Sequence, residues 1–333
     1  MSNSFRDAFG VVGAGAWGTA LAQVLASDGR EVRLWARETE VIDGINRCHE
    51  NPLFLPGIPL SPNIVATSDM SWVGEAQQAT LIVTPAQHMR AVLYDMPRFG
   101  QSLILCSKGI EDGSLKLLHE VAHEAVDGSP IAVLSGPTFA HEVAAGLPTA
   151  VTLAAEDLAT ATRLAEAIAR PHFRPYVSDD VVGAEVGGAV KNVLAIACGV
   201  VDGLGLGLNA RAALISRGFA EMTRFGLAKG ARPETLAGLA GLGDLVLTCS
   251  STNSRNFSLG KGMGEGRGAA ALLSDRRTVA EGAFTAPVLR RVAEAAGVEM
   301  PIVATVCGLL DGSVSAPEAV GALLARPLKA EGV

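Results

Sequence analysis

Aromatic side chains are scarce in this chain, and paired cysteines are missing. Phe, Trp and Tyr make up 5% of 333 residues. That scarcity speaks against an aromatic-rich β architecture and for close packing of helices and sheet through small side chains. The five cysteines (Cys48, Cys106, Cys198, Cys249 and Cys307) are odd in number and dispersed, with no C-x-x-C. A disulfide framework and a zinc cluster are therefore not expected, and a reducing compartment is. Positive charge is also short: 27 Lys and Arg stand against 34 Asp and Glu, a formal net charge of −7. Proteins that gain affinity by neutralising nucleic-acid phosphates are usually basic, so no nucleic-acid partner is expected. The first eight residues are polar and hold no apolar signal region. The longest uncharged apolar run, residues 193–201, is half the length needed to span a bilayer. The expectation is a cytoplasmic protein with no membrane span. The histidines form no ligand set with cysteines or carboxylates, so no metal is expected. His119 and His123 stand four apart on what reads as a solvated helix face.

Short β-branched runs alternating with helical stretches fill the first half. Strands are expected at residues 9–12, 31–36, 64–66, 81–83, 103–106, 131–134 and 151–153. Helices are expected at 16–27, 115–126 and 158–169. Such alternation implies a mostly parallel sheet with helices on both faces. Residues 51–62 carry four prolines and cannot be helical. From residue 179 the periodicity is helical, interrupted by the glycine-rich stretch 203–207, with further helices at 285–296 and 316–325. The expected fold class is an α/β Rossmann-type dinucleotide-binding domain, residues 1–178, followed by an all-α domain, residues 179–333.

Gly13-Ala14-Gly15-Ala16-Trp17-Gly18 is a G-x-G-x-x-G. Alone the motif is weak; after an apolar strand and at the start of a helix it is specific for a dinucleotide. Gly13 permits the tight turn, Gly15 lets the backbone approach a pyrophosphate, and Gly18 lets helix and sheet pack closely. The helix N-terminus adds N–H donors and partial positive charge. At the end of the second strand an acid would take a ribose 2′-hydroxyl and an Arg a 2′-phosphate. Arg37 followed by Glu38 stands there, which favours NADPH while leaving NADH open.

Three further segments carry candidate chemistry. Lys108 follows a strand and should emerge at the carboxyl edge of the sheet, where ligands bind in such folds. Lys191 lies amid apolar helix, a costly place for an ammonium and a suitable one for a proton donor. Asp244, between apolar neighbours, needs a cation, and Lys191 is the obvious one. Ser254-Arg255-Asn256 offers a guanidinium and an amide of the kind that grip a phosphate.

Together these segments, with Ser107-Lys108-Gly109, Ser135-Gly136-Pro137-Thr138-Phe139-Ala140, Gly188-Ala189-Val190-Lys191-Asn192 and Gly241-Leu242-Gly243-Asp244-Leu245, resemble the bacterial NAD(P)-dependent glycerol-3-phosphate dehydrogenases over nearly the whole chain. The resemblance implies interconversion of dihydroxyacetone phosphate and sn-glycerol 3-phosphate, the backbone of glycerophospholipids. It implies Lys191 as proton donor and acceptor. It implies Lys108, Gly136, Thr138, Lys191, Asp244, Ser254, Arg255 and Asn256 as substrate contacts. Cofactor contacts implied are Gly13, Gly15, Ala16, Trp17, Gly18, Arg37, Lys108, Ala140, Arg255, Val279 and Glu281. The alignment before Val279 is loose. A homodimer follows only from family habit. The rival expectations are another hydroxyacid or phosphosugar dehydrogenase of the same plan, and a dinucleotide sensor without catalysis; a sensor would have no use for Lys191 with Asp244.

Overall fold

Short apolar runs that alternate with small-residue helices have one economical burial, a sheet covered on both faces. The computed structural model describes residues 8–76, 78–97, 100–126, 128–274 and 280–327. It divides into two units, Met1–Lys108 with Lys116–Ala184, and Gly109–Leu115 with Glu185–Val333.

The first unit is built on eight strands: β1 (Phe9–Val12), β2 (Val32–Trp35), β3 (Ile64–Thr67), β4 (Ala79–Ile82), β5 (Leu103–Leu105), β6 (Ile131–Ser135), β7 (Thr149–Ala155) and β8 (Phe173–Ser178). They lie in the order β3-β2-β1-β4-β5-β6-β7-β8, parallel except for the β6–β7 pair. Val12 of β1 is level with Trp35 of β2 and Ile82 of β4, so the carboxyl ends of these strands form one edge. The strand order reverses between β1 and β4, and ligands bind in the crevice at such a switch point. Phe9, Val11, Leu34, Leu81 and Ile104 of the strands pack with Leu21 and Leu25 of the helix Ala16–Ala26 into one core.

Two local expectations need correction. Strand β8 lies where no strand was expected, because Pro175 breaks the pattern. Proline lacks the N–H that a central strand must donate, but β8 is the edge strand, where that loss is tolerated. The helix expected from residue 115 begins at Leu118. Leu115 has φ +60°, outside the helical region, and the Glu120 carboxylate accepts the Leu117 N–H at 2.7 Å to start the helix.

The helix Val181–Gly203, of which residues 185–203 belong to the second unit, is followed there by the helix Gly207–Ala228. Val181–Gly203 is long and apolar enough to cross a membrane, but 94% of its most apolar window is buried inside the structure. Glycine sets its contact with the helix Arg255–Gly264. A Cβ on Gly199 would lie 2.0 Å from the Phe257 carbonyl oxygen, and one on Gly260 1.9 Å from that of Ile196. The two backbones therefore touch without side chains between them. Beyond the crossing, Asp202 accepts Lys261 at 2.9 Å and Arg211 at 3.3 Å.

Alanine normally stabilises a helix over glycine by about 0.5–1 kcal/mol. Gly199→Ala should instead destabilise the fold by roughly 1–3 kcal/mol, the usual cost of overpacking. Gly321→Ala is the control, since a Cβ there meets nothing within 4 Å in the helix Ala316–Leu324. Urea unfolding of both variants should give opposite signs. A Gly199→Ala protein as stable as its parent would show that the backbones do not need this contact.

Candidate active site

The cradle is formed where β1 ends. Gly13 has φ +114°, and a Cβ there would lie 2.8 Å from the Val83 carbonyl oxygen. A Cβ on Gly18 would sit 1.8 Å from the Gly13 oxygen, so helix and turn meet backbone to backbone. Gly15 is different: its Cβ position meets nothing within 4 Å. Space at the second glycine, in front of a helix whose N-cap has no side-chain cap, fits a pyrophosphate that takes the first-turn N–H groups. Asn51 supports the turn from below. Fully buried, it donates to the Ala14 carbonyl at 2.9 Å and to Thr19 Oγ1 at 2.8 Å. Sequence reading missed Asn51, because it lies in a proline-rich loop with no motif of its own. Ala16 and Trp17 open the helix as expected, and the Trp17 indole N–H is buried with no hydrogen-bond partner.

Further along the same edge, Lys108 Nζ donates to the Gly136 carbonyl at 3.3 Å, and Thr138 Oγ1 reaches the same oxygen at 3.3 Å. Gly136 has φ +154°, and a Cβ there would lie 2.9 Å from the Val151 Cα, so the turn leaving β6 admits no side chain. Three of the expected residues are thus brought together. Ala140 begins the next helix, Ala140–Ala144. Beneath Lys108 the Cys106 thiol is pushed up by burial, against the pull of the Lys108 charge, and stays a thiol. Beyond β2 the Arg37 side chain is 82% exposed and bonded to Glu38.

The second unit holds the proton-transfer candidates. The ammonium of Lys191 lies 2.5 Å from Asp244 Oδ1, with the Lys191 side chain 7% exposed and that of Asp244 fully buried. Lys191 also donates to Thr248 Oγ1 at 3.0 Å. At this separation the buried pair is held as a unit. Asp244 and Thr248 sit one turn apart on the helix Asp244–Cys249. The turn Leu239–Gly243 that leads into that helix is fitted by a second glycine contact: a Cβ on Gly187, one turn before Lys191, would lie 2.1 Å from the Ala240 oxygen. Behind the pair, the Cys249 thiol is pushed up by burial and by its hydrogen bond with Cys198, so Cys249 is not poised as a nucleophile. Thr248 was not foreseen, although its four-residue spacing from Asp244 was readable.

Ser254 caps the helix Arg255–Gly264, its hydroxyl accepting the Phe257 N–H at 3.2 Å. Asn256 is committed on two sides. Its oxygen accepts the Gly282 N–H at 2.9 Å, and its amide donates to Asn192 Oδ1 at 2.9 Å. It therefore joins the residue after Lys191 to the start of the helix Glu281–Ala295, whose first residue is Glu281. Asn192 enters the set through this bond. Arg255 is exposed and bonds no side chain or backbone group among the described residues. Val279 lies outside the described residues. Among them, no group of His, Cys, Asp and Glu side chains could hold a metal ion.

A dinucleotide cradle at the sheet's switch point and a lysine held by a buried carboxylate define an oxidoreductase of the nicotinamide-dependent class. The family is shown by comparison. Residues 8–161 match the model of the NAD-dependent glycerol-3-phosphate dehydrogenase N-terminus, and residues 180–321 that of its C-terminus. The chain is 63% identical to the protein of Sphingopyxis alaskensis named glycerol-3-phosphate dehydrogenase, NAD(P)+, 1, with 99% of each chain covered. It is 65% identical to its counterpart in Novosphingobium aromaticivorans, with 97% of each covered. The crystal structure of glycerol-3-phosphate dehydrogenase from Coxiella burnetii superposes with a TM-score of 0.92 at 40% identity, covering 97% of this chain and 100% of that one. The chain belongs to the NAD-dependent glycerol-3-phosphate dehydrogenase family.

The geometry makes Asp244 the carboxylate that holds the Lys191 ammonium. Asp244→Asn should slow turnover and move the basic limb of the rate profile to lower pH, because burial then acts on the lysine without its counter-charge. Turnover measured from pH 6 to pH 10 reads this. An unshifted profile would remove Asp244 from the control of Lys191.

Proposed function

We propose that the chain interconverts dihydroxyacetone phosphate and sn-glycerol 3-phosphate, with NADPH favoured over NADH. The observation that carries this reading is the Lys191 ammonium held 2.5 Å from a fully buried carboxylate, which a sensor of dinucleotide would not need. When bound, the nicotinamide supplies hydride to the C2 carbonyl carbon of the substrate. The first unit holds it: Gly13, Gly15 and Gly18 with Ala16 and Trp17 at the pyrophosphate, Arg37 at the adenosine ribose, and Lys108 and Ala140 beyond the later strands. The second unit is assigned Arg255, Val279 and Glu281 as further cofactor contacts.

Arg255 holds the substrate phosphate with its unpaired guanidinium. Ser254 and Asn256 contribute less directly, since Ser254 caps a helix and Asn256 already spans Asn192 and Gly282. Lys108, Gly136 and Thr138 of the first unit are assigned as the further substrate contacts that the family resemblance implies. As the C2 oxygen gains negative charge, the positive charge of Lys108 stabilises it. Lys191 Nζ gives its proton to that oxygen and becomes neutral; in the oxidative direction it takes the proton from the hydroxyl. Asp244 and Thr248 keep Nζ aimed throughout.

The product is the backbone of glycerophospholipids, and a cytoplasmic location without a membrane span suits a soluble phosphorylated substrate. A homodimer is part of this reading on family habit alone. A hydroxyacid dehydrogenase of the same plan is the alternative, because an Arg also grips carboxylates.

Lys191→Met keeps length and removes charge. It should lower kcat by roughly 10²–10⁴-fold and leave the Kd for NADPH unchanged in a fluorescence titration. Near-normal turnover in a folded, cofactor-binding variant would overturn this role for Lys191 and make Lys108 the next candidate. Arg255→Ala should raise KM for dihydroxyacetone phosphate and erase most of the preference over unphosphorylated dihydroxyacetone. An unchanged preference between the two would move the phosphate site elsewhere.

A further inference from the structure

Two opposite charges compete at the adenosine end of the cradle. After β2 the main chain is held at Ala36, whose N–H donates to the Thr67 carbonyl at 2.9 Å, and at Trp35, whose indole N–H donates to Ser68 at 3.1 Å. Arg37 and Glu38 follow at once. Glu38 is the N-cap of the helix Thr39–Asp43, and its carbonyl accepts the N–H groups of Val41 and Ile42. Its carboxylate caps nothing. Instead a single oxygen, Oε1, accepts from Arg37 Nε at 3.2 Å and Nη2 at 3.0 Å. The Nε–Nη2 edge, the side of a guanidinium suited to gripping a phosphate in bidentate fashion, is already engaged.

We propose that Glu38 is a specificity-determining residue for the dinucleotide, occupying the guanidinium edge of Arg37 that a ribose 2′-phosphate needs and accepting the ribose 2′-hydroxyl when that phosphate is absent. The inference rests on the reading of the chain as an NAD(P)-dependent dehydrogenase. Its physical basis is competition. A 2′-phosphate carries close to two negative charges at neutral pH. To reach Arg37 it must either displace the Glu38 carboxylate or lie beside it, and like charges side by side are unfavourable. The neighbourhood adds little compensation. Glu40 lies on the same short helix, the Arg47 charge is shared with Asp43 at 3.4 Å, and Asp69 caps the helix Met70–Gly74. The Arg37–Glu38 pair is exposed and therefore weak, so the phosphate can displace it. With NADH no displacement is required, and a carboxylate after the second strand is the usual acceptor for a 2′-hydroxyl. One residue thus raises affinity for NADH and lowers it for NADPH, and the enzyme serves both.

The test measures binding by the full chain without substrate. Dissociation constants for NADPH and NADH are read by nicotinamide fluorescence for the parent, Glu38→Gln, Arg37→Ala and the double variant. Competition by 2′,5′-ADP and by 5′-ADP isolates the phosphate. Glu38→Gln keeps size and polarity and removes the charge. It should tighten NADPH and 2′,5′-ADP, weaken NADH, and raise the NADPH-over-NADH preference about tenfold, corresponding to 1.4 kcal/mol. In the Arg37→Ala background the same change should raise that preference less, because no guanidinium remains to be released. Raising salt should shrink the effect, as for any exposed charge. A merely structural Glu38 would move both cofactors by one factor. A preference within threefold of the parent's after Glu38→Gln overturns the proposal, whatever the enzyme's substrate proves to be. Failure of the parent to bind either dinucleotide would overturn the dehydrogenase reading with it.

Discussion

A charged lysine in a dry helical interior is the constraint to which much of the second unit answers. Removing one partner of a buried ion pair costs about 3–5 kcal/mol, because the remaining charge is stranded. The pair is tolerable only if both groups are held where each satisfies the other. Lys191 and Asp244 lie 53 residues apart, and their 2.5 Å separation leaves little slack. The helix Val181–Gly203 therefore meets its neighbours through glycine. Gly187 lets the backbone before Asp244 come within contact, and Gly199 and Gly260 do the same for the helix that begins at Arg255. Where backbones touch, no side-chain rotamer can loosen the distance. Thr248 completes the arrangement with a hydroxyl bonded to both charges.

The two groups of candidate residues are held differently, and the difference matches the role proposed for each. A proton donor has to be aimed to within a few tenths of an ångström at a reacting atom. Lys191, Asp244, Asn192 and Asn256 are all buried and cross-bonded. Recognition of a dinucleotide's adenosine end tolerates more freedom. Arg37 and Glu38 lie on the surface after a short strand, bonded mainly to each other, where solvent screens their charges. On the proposed reading, selectivity between two cofactors is adjusted there without disturbing the buried pair. The cradle lies between these extremes, its backbone fixed by Gly13, Gly18 and Asn51 and its second glycine left open.

The strand β1, the turn after it and the helix Ala16–Ala26 were legible from residues 9–27, because their signals are local: an apolar run, glycines at fixed spacing and a small-residue helix. The demand of Asp244 for a cation was legible too, since an acid among apolar residues is costly without one. Strand β8 was hidden by Pro175, whose defect matters only in a central strand; its place at the edge is a tertiary fact. Asn51 was hidden for a related reason. Nothing near it in sequence marks it, and its two partners lie 37 and 32 residues away.

By itself the sequence determined the local conformations and the kinds of chemistry available, because glycine spacing, periodicity and the cost of buried charge act over a few residues. Tertiary structure decided which of those groups meet. It gave the Asn256 amide to Asn192 and Gly282, leaving Arg255 exposed and, among the described residues, without a side-chain partner. It laid the carboxylate of Glu38 on the guanidinium of Arg37. Side-chain partnership depends on packing between distant segments, and the pattern of any single segment carries no record of it.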